Sequence, residues 1–309
     1  MNWIQLVLLV LLAIFCVLFL RSPRHPRQAL RFARVTLLVL ASIAVLSPFA
    51  WLVAAAFKDR SVINEYILLP PPSEWSGKTV NLENFMELFA PKEMVHFKIS
   101  FWQFILNSTV YTTVSVCAQL VLSSLGGYAL AKFDFAGKKW LMLFILGSMM
   151  VPHILLLAPI YKLAVSWGMV DTLWGLILQG IVSAYGIFLF RQACMSVPDE
   201  MLDAGRIDGC GELRIYFSLV MPLVRPMAAA FCLVSFLSHW NAFFAPNVFL
   251  HSYENLTLPI VLRIYLSGYA NNMGVFLAGT LLAMLPPAVL FFALQREFIS
   301  GLTTGAVKG

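Results

Sequence analysis

The sequence predicts an all-α integral membrane protein, and three observations carry that prediction: the composition, the long apolar runs and the short basic connections. Of the 309 residues, 60% are hydrophobic and 12% are charged, and the mean hydropathy is +0.83. Soluble domains carry about twice that share of charged residues, so the composition excludes a soluble domain.

The apolar runs, taken in order, predict six membrane-spanning helices. None of these runs contains Asp, Glu, Lys or Arg, and each is long enough for a helix to cross the hydrocarbon core. We expect a kink at Pro48 and breaks at Pro152 and Pro159, and Pro286-Pro287 lie in the last run. The predicted spans are residues 35–57, 101–131, 140–161, 172–190, 227–249 and 274–294.

Residues 1–34 predict an extra N-terminal hydrophobic segment followed by a basic linker. Residues 3–20 are apolar and uncharged, and five arginines follow from Arg21 to Arg34. A cleaved signal peptide is the alternative. However, Met1-Asn2 carries no basic residue, and no small-x-small cleavage pattern precedes Arg21. A retained membrane helix is therefore favoured.

The distribution of basic residues predicts the orientation of the spans. Fourteen of the 21 Lys and Arg residues fall in connections assigned to the cytoplasmic side, which leaves seven outside. By the positive-inside rule, residues 197–226 and the C-terminus are cytoplasmic, and residues 58–100 form the long external loop.

The second span, residues 101–131, is uncharged but rich in hydroxyl and amide side chains. Such groups need partners in hydrocarbon, so we expect them to face other helices or a wet path. Asn107 is one of them, and for it helix packing is favoured over a role in the path.

Residues 197–226, which we call the elbow, form a charged island between two apolar runs. We expect Ser196 to cap a helix of about three turns, with Pro198 in its first turn and Asp199 at its positive end. Gly209 then supplies the freedom for a sharp turn before a second amphipathic stretch. On these grounds alone, an ordinary linker with a short interfacial helix is an alternative.

The elbow also carries a recognisable sequence pattern. It begins with Pro-x-Glu, continues with an acidic residue followed by Ala and then with Asp-Gly, and ends with a phenylalanine, a Pro-Leu pair and a later proline. Its members are Pro198, Glu200, Met201 or Leu202, Asp203, Ala204, Gly205, Asp208, Gly209, Phe217, Met221, Pro222, Leu223 and Pro226. The pattern resembles the cytoplasmic coupling loop, or EAA loop, of binding-protein-dependent ABC importer permeases. Asp203 departs from the usual Glu, Met221 from Leu, and Gly205 from Ala. Glycine within a helix costs about 1 kcal/mol against alanine.

From residue 35 onward the sequence is similar to the sugar-type branch of these permeases, the branch of the maltose and glycerol-3-phosphate importers. The further matching segments include Trp240-Asn241, Thr257-Leu258-Pro259 and the tail 301–309. The resemblance implies a six-helix type I ABC importer permease core in residues 35–300, with the extra N-terminal helix and the tail outside it.

The resemblance also implies the partners and the division of work between them. A second permease chain, two ATPase subunits, an external solute-binding protein and membrane lipid surround such a chain in the cell inner membrane. ATP and Mg are then bound by the ATPases, this chain binds no cofactor or metal, and it is not an enzyme. The residues expected to contact the ATPases are Glu200, Asp203, Ala204, Gly205, Asp208 and Gly209 in the elbow, and Thr303, Gly305 and Lys308 in the tail.

Trp240 and Asn241 are candidates for the substrate path, together with Asn107. A ring face and an amide suit a polyhydroxylated ligand such as a mono- or oligosaccharide. Helix packing, with Asn241 bonded to a neighbouring helix, is nevertheless favoured over this role.

Other functions are disfavoured. The basic residues lie in short clusters beside apolar runs, so nucleic-acid binding is not expected. Residues 76–79 imitate the end of a phosphate-binding loop, but Pro72 stands where the first glycine belongs. An ion-coupled secondary transporter, the alternative function, predicts intramembrane carboxylates or inverted repeats. An intramembrane enzyme using Ser238 and His239 is disfavoured because adjacent helical positions face different ways.

Overall fold

The computed structural model describes residues 26–77, 79–90, 92–94, 97–268 and 273–306. The chain divides into two compact units, residues 1–82 and 83–309. The predicted extra helix at residues 3–20 and the predicted contact Lys308 lie outside the described residues.

The first unit contains helix α1, Pro26–Ala56, which confirms the predicted first span. Pro48 lies inside α1. The connection that follows is partly ordered by a 3₁₀ turn at Pro72–Glu74 and by an antiparallel bridge between Lys58 and Val80.

The second unit begins with a short helix and a hairpin, both within the connection predicted as a loop. Helix α2 is Glu83–Phe89, and strands β1, Lys92–Met94, and β2, Phe97–Ile99, pair antiparallel with Met94 opposite Phe97. The all-α prediction therefore holds for the spans, and the connection predicted to be external adds one short two-stranded sheet.

Helix α3, Phe101–Lys132, confirms the predicted second span. Most of its polar side chains are buried, as for Ser115, Gln119 and Ser123, which recur every four residues, whereas a few, such as Thr113, are exposed. Residues four apart share one face of a helix. The polar face of α3 is therefore turned inward against other helices, as predicted.

The predicted third span is two helices, α4, Lys138–Met149, and α5, His153–Ser166, which meet at 101°. The predicted break at Pro152 is confirmed, because this residue caps the start of α5. The break predicted at Pro159 is wrong: the residue lies inside α5. Proline is tolerated within membrane helices when other groups satisfy the carbonyl that it leaves free.

The remaining spans are also more broken than the apolar runs predict. In the fourth run, the helix is interrupted between residues 180 and 184. In the fifth run, one helix ends at residue 240 and the next begins at residue 244. The helices are α6 Leu173–Gly180, α7 Ala184–Met195, α8 Asp199–Ile207, α9 Glu212–Leu223, α10 Arg225–Trp240, α11 Phe244–Phe249, α12 Leu258–Gly268 and α13 Met273–Ala306.

Among the described residues, three helices are long and apolar enough to cross a membrane unbroken, and three bent pairs raise the number of candidate spans to six. The unbroken helices are α1, α3 and α13; the pairs are α4 with α5, α6 with α7, and α9 with α10. The upper number equals the six spans predicted from the sequence.

The best-packed core lies where α3, α7 and the elbow meet. Tyr128, Phe190, Leu202 and Ile215 are buried in one apolar cluster there. Gly127 allows α3 and α7 to touch, since a Cβ at this position would stand 2.5 Å from the Cβ of Phe190. The elbow is therefore built onto the membrane helices as part of their core.

Candidate functional site

The first half of the elbow is helix α8, which begins at Asp199 and follows Pro198 as its cap residue. The predicted cap by Ser196 is wrong, because its hydroxyl donates instead to the carbonyl of Ala193 at the end of α7. Asp199 and Glu200 lie in the first turn and Arg206 in the last, which suits the helix dipole. The helix has nine residues, about half a turn fewer than predicted.

The turn after α8 requires glycine at position 209. Gly209 has φ +78°, in the left-handed region that L side chains rarely adopt. The amide of Gly209 donates to Arg206 O, and the amide of Cys210 donates to Gly205 O, both at 3.0 Å. These bonds satisfy the free carbonyls at the helix end, so the turn has one defined geometry.

Gly205 has a packing role that offsets its low helix propensity. It is buried, and a Cβ at this position would lie 3.1 Å from Leu219 and 3.3 Å from Ile215. The absence of a side chain therefore brings α8 directly against α9. The departure from alanine in the family pattern is explained by this close approach.

The second half of the elbow, α9, contains a π-helical turn at Tyr216–Val220. Ile215, Tyr216 and Val220 face the core, whereas Phe217 is 61% exposed. A π turn inserts one residue into the helical repeat and is frequent at functional sites.

Charged side chains hold the two helices of the elbow together. Arg206 Nη1 lies 2.7 Å from Asp203 Oδ1, and Arg206 Nε lies 2.8 Å from Glu212 Oε1. The hydrogen bond from Arg206 is the main reason that the pKa of Glu212 is lowered. Hydrogen bonds from the guanidinium to Glu212 and Asp203 in turn raise the pKa of Arg206.

The outer surface of the elbow carries the predicted contact residues and exposed apolar side chains. Glu200, Asp203, Ala204, Asp208 and Gly209 are exposed, and Gly205 is buried as described above. Beside them, Ile207 is 86% exposed and Leu213 is 66% exposed. A charged surface with apolar side chains at its centre is typical of a protein interface.

Two of the three predicted tail residues lie at the end of α13. The backbone is helical at Thr303 and Gly305. Just before the tail, Glu297 Oε1 lies 2.9 Å from Arg225 Nη2 at the base of the elbow. The tail therefore starts next to the end of the elbow.

The three substrate-path candidates lie apart from the elbow. Trp240 is buried and its indole N–H donates to Ala283 O on α13 at 2.9 Å. The amide of Asn107 donates to Glu254 O at 2.7 Å and to Leu256 O at 3.0 Å. Asn241 is exposed and its amide donates to Leu237 O on its own helix.

A cavity of about 560 Å³ lies between α10, α12 and α13 and is bordered by Trp240 and Asn241. Its other walls are mostly apolar and include Leu237, Met284 and Phe291. The hydroxyl of Thr280, which also borders it, donates to Phe276 O on its own helix.

The intramembrane polar residues of α3 bind neighbouring helices. The amide of Gln119 donates to Gly180 O at the break between α6 and α7 and accepts from the Ser235 hydroxyl at 2.6 Å. His239 is bonded through Nδ1 to Ser235 O. Within the part of the chain that the structure describes, no three His, Cys, Asp or Glu side chains are grouped as a metal site.

Sequence analysis missed a second organised loop, which we call the Asp171 clasp: Asp171 with His251, Ser252 and Asn255. Asp171 Oδ1 accepts from the amides of His251 at 2.9 Å and Ser252 at 3.0 Å, and Asn255 Nδ2 donates to Asp171 O at 2.6 Å. Asp171 has φ +62°. No local pattern reveals a contact across 80 residues.

The electrostatics of the Asp171 clasp differ from those of the elbow. Partial burial raises the pKa of Asp171, but the hydroxyl of Ser252 and the amides of His251 and Ser252 outweigh that effect and lower it to about 2. The carboxylate is therefore stabilised by neutral donors of fixed direction, as is typical for a structural hydrogen bond acceptor.

The fold and the elbow together define the class of the protein: a helical membrane protein in which a helix-turn-helix, α8 and α9, packs against the candidate spans α3 and α7. The family model described as "Binding-protein-dependent transport system inner membrane component" matches residues 123–302, which include the whole elbow. The chain belongs to this family. It is a multi-pass inner-membrane permease subunit of an ABC transporter, a transport component and not a catalytic one.

Individual relatives cover most of the chain. The Arabinooligosaccharides transport system permease protein AraQ of Halalkalibacterium halodurans is 37% identical over 87% of this chain and 93% of its own length. The Lactose transport system permease protein LacG of Rhizobium radiobacter is 32% identical over 88% of this chain and 94% of its own length.

A solved structure has the same fold. The crystal structure of a bacterial ABC transporter involved in the import of the acidic polysaccharide alginate contains a chain that superposes with a TM-score of 0.74. The match covers 90% of this chain and 100% of that chain, at 21% sequence identity. At this identity the likeness concerns the fold.

Proposed function

We propose that this chain pairs with a second permease chain to form the membrane path of an ATP-driven oligosaccharide importer. An external solute-binding protein delivers the sugar, and two ATPase subunits, which bind ATP and Mg, dock on the elbow from the cytoplasm. The names of the relatives support the substrate class, since they refer to arabinooligosaccharides and lactose.

The observation that carries the proposal is the two-sided construction of the elbow. Its inner side, with Leu202 and Ile215, is buried in the apolar cluster that α3 and α7 form with the elbow. Its outer side presents Ile207 and Leu213 among exposed acidic residues. A partner that binds the outer side and moves therefore displaces the elbow, whose inner side is packed against the membrane helices.

The tail supports the same assignment. The ion pair between Arg225 and Glu297 fixes α13 at the base of the elbow immediately before the tail. We assign Thr303, Gly305 and Lys308 to the edge of the same ATPase interface, and the elbow residues Glu200, Asp203, Ala204, Asp208 and Gly209 to its centre.

For the substrate path we retain Asn241 as the leading candidate. Trp240 and Asn107 use their N–H groups in bonds to Ala283 and to residues 254 and 256, which accounts for both as packing residues. Asn241 is exposed beside the cavity, so its amide can exchange the bond to Leu237 for one to a sugar hydroxyl.

The proposal is tested by a pair of isoleucines with nearly equal exposure. Ile207 in the elbow is 86% exposed, and Ile67 in the connection predicted to be external is 84% exposed. Ile207→Asp should abolish co-purification of the ATPase subunits and ATP-dependent sugar uptake in vesicles, because it places a charge at the centre of the interface. Ile67→Asp should leave both unchanged.

Two results would contradict the proposal. The first is uptake driven by an ion gradient without ATPase subunits, which is the behaviour of a secondary transporter. The second is an Ile207→Asp variant that retains its ATPase subunits and its uptake rate.

A further inference from the structure

Three side chains on one row of α3 bind successive parts of the elbow. Ser124, Tyr128 and Lys132 are spaced four residues apart, so they share one face of the helix. Ser124 Oγ lies 2.5 Å from the hydroxyl of Tyr216 in α9. The hydroxyl of Tyr128 donates to Glu212 Oε2 at 3.0 Å, at the first residue of α9.

Lys132 completes this ladder at the entrance to the elbow. Its ammonium group donates to Asp199 Oδ1 at 2.6 Å and to the carbonyl of Val197. The Lys132 side chain is only 6% exposed, whereas that of Asp199 is 76% exposed. The lysine is therefore held in place by packing, and it fixes the start of α8.

The ladder ties the elbow to a helix that does not adjoin it in sequence. The connection through the chain itself is not straight: α9 contains the π turn, and α9 meets α10 at 81°. Helix α3 by contrast is continuous over 32 residues. Further along, its side chains Gln119 and Asn107 bind the α6–α7 break and the loop at residues 254–256.

We propose that Tyr128 and Lys132 are positioning residues that pass the movement of the elbow into α3, and through α3 to the α6–α7 break and the loop before α12. This inference rests on the proposed function, because it assumes that a partner moves the elbow. It assigns a mechanical role to two residues outside the coupling-loop pattern.

The test uses the full transporter, this chain purified with its partner permease and ATPases and supplied with its binding protein, in vesicles. Lys132→Met removes the ammonium group and keeps the length of the side chain, and Tyr128→Phe removes one oxygen atom. The matched control is Lys138→Met, which removes an ion pair with Asp134 and a hydrogen bond to the carbonyl of Phe133, neither of which involves the elbow.

We expect the ladder variants to retain their ATPase subunits and ATP hydrolysis but to transport less sugar per ATP, on the order of tenfold less for Lys132→Met, as for the loss of one charge-assisted hydrogen bond. Tyr128→Phe should lower the amount of sugar transported per ATP by a smaller factor. Lys132→Arg keeps the positive charge and should retain most of the normal amount. Lys138→Met should match the unmodified chain.

The outcomes separate this inference from the proposed function. If the unmodified assembly shows no ATP-dependent uptake, the proposed function is wrong. If it transports and both Lys132→Met and Tyr128→Phe keep the normal ratio of sugar to ATP, the ladder has no role in transmission and the inference is overturned. If Lys132→Met does not assemble, the ratio measured for Tyr128→Phe decides.

Discussion

The elbow and the Asp171 clasp both depend on carboxylates, but they hold them by different means. In the elbow, Glu212 and Asp199 are bound by the cationic side chains of Arg206 and Lys132. In the clasp, Asp171 is bound by backbone amides, a hydroxyl and an amide side chain. The Arg206 side chain is 40% exposed and can follow a moving partner, whereas Lys132 is held by packing and the backbone donors of the clasp point in fixed directions.

Under the proposed function, the two loops serve different purposes. A loop that receives force must shift without losing its bonds, and ion pairs tolerate small changes of distance because Coulomb attraction falls off slowly. A loop that closes a structure needs one geometry, which hydrogen bonds to the backbone supply. Substitutions in the elbow and in the Asp171 clasp test this comparison.

The largest effect is expected at the turn of the elbow. Gly209→Val forces a β-branched residue into the left-handed region at a cost of about 1–2 kcal/mol, so sugar uptake per ATP should fall at least about tenfold while the chain still inserts in the membrane. The measurement is ATP-dependent uptake in vesicles with the assembly quantified by co-purification.

Gly211→Val is the control for this substitution. Gly211 has φ −70°, and a Cβ at this position would meet no other atom within 4 Å, so valine fits there without strain. Equal losses in the two variants would show that the local volume, and not the left-handed geometry, controls coupling.

The next effect is expected at the clasp. Asp171→Ala leaves the amides of His251 and Ser252 without their acceptor and should lower the stability of the purified protein by about 1–2 kcal/mol. Asp171→Asn keeps one acceptor oxygen and tolerates φ +62°, so it should lose less. Thermal unfolding in detergent measures both variants against the unmodified chain.

The pH dependence of the stability difference between the unmodified chain and Asp171→Asn tests whether the Asp171 carboxylate causes that difference. The pKa of Asp171 is lowered from 3.8 to about 2, so the clasp contributes its full stability above pH 3.8 and loses it as the pH falls toward 2. The melting-temperature gap between the unmodified chain and Asp171→Asn should stay constant from neutral pH to about 5 and shrink below pH 3.8. A gap that changes between about pH 6 and 8, the range in which histidine titrates, would contradict this origin.

The smallest effect is expected from the exposed ion pairs of the elbow. Arg206→Met should lower thermal stability only slightly at low salt, and the decrease should vanish near 1 M salt, where charges are screened within about 3 Å. The effect of Asp171→Ala should persist at the same salt concentration. If both variants respond equally to salt, the contrast between the two loops is wrong.

Much of the elbow could be predicted because its signals are local. The acidic first turn of α8 and the turn at Gly209 depend on residues within a few positions of each other, and both are present in the structure. The cap predicted at Ser196 is wrong because a serine hydroxyl can bond either to the helix that follows it or to the helix that precedes it. In the structure, the hydroxyl of Ser196 donates to the carbonyl of Ala193 in the preceding helix, α7.

The rest could not be predicted because it depends on distant contacts. Tyr128 and Glu212 are 84 residues apart in the chain, and a hydrogen bond between them leaves no local pattern. The 101° bend after α4 was missed for a related reason: Pro152 predicts a break there, but a single proline does not predict the angle between the two helices.

The exposed isoleucine at the tip of the elbow has a consequence for the subunit before assembly. Ile207, with Leu213 nearby, gives newly made chains an apolar surface that chaperones and membrane proteases can bind. Cells that make this chain in excess of its ATPase partners should therefore degrade the surplus, so that the abundance of the subunit follows that of its partners.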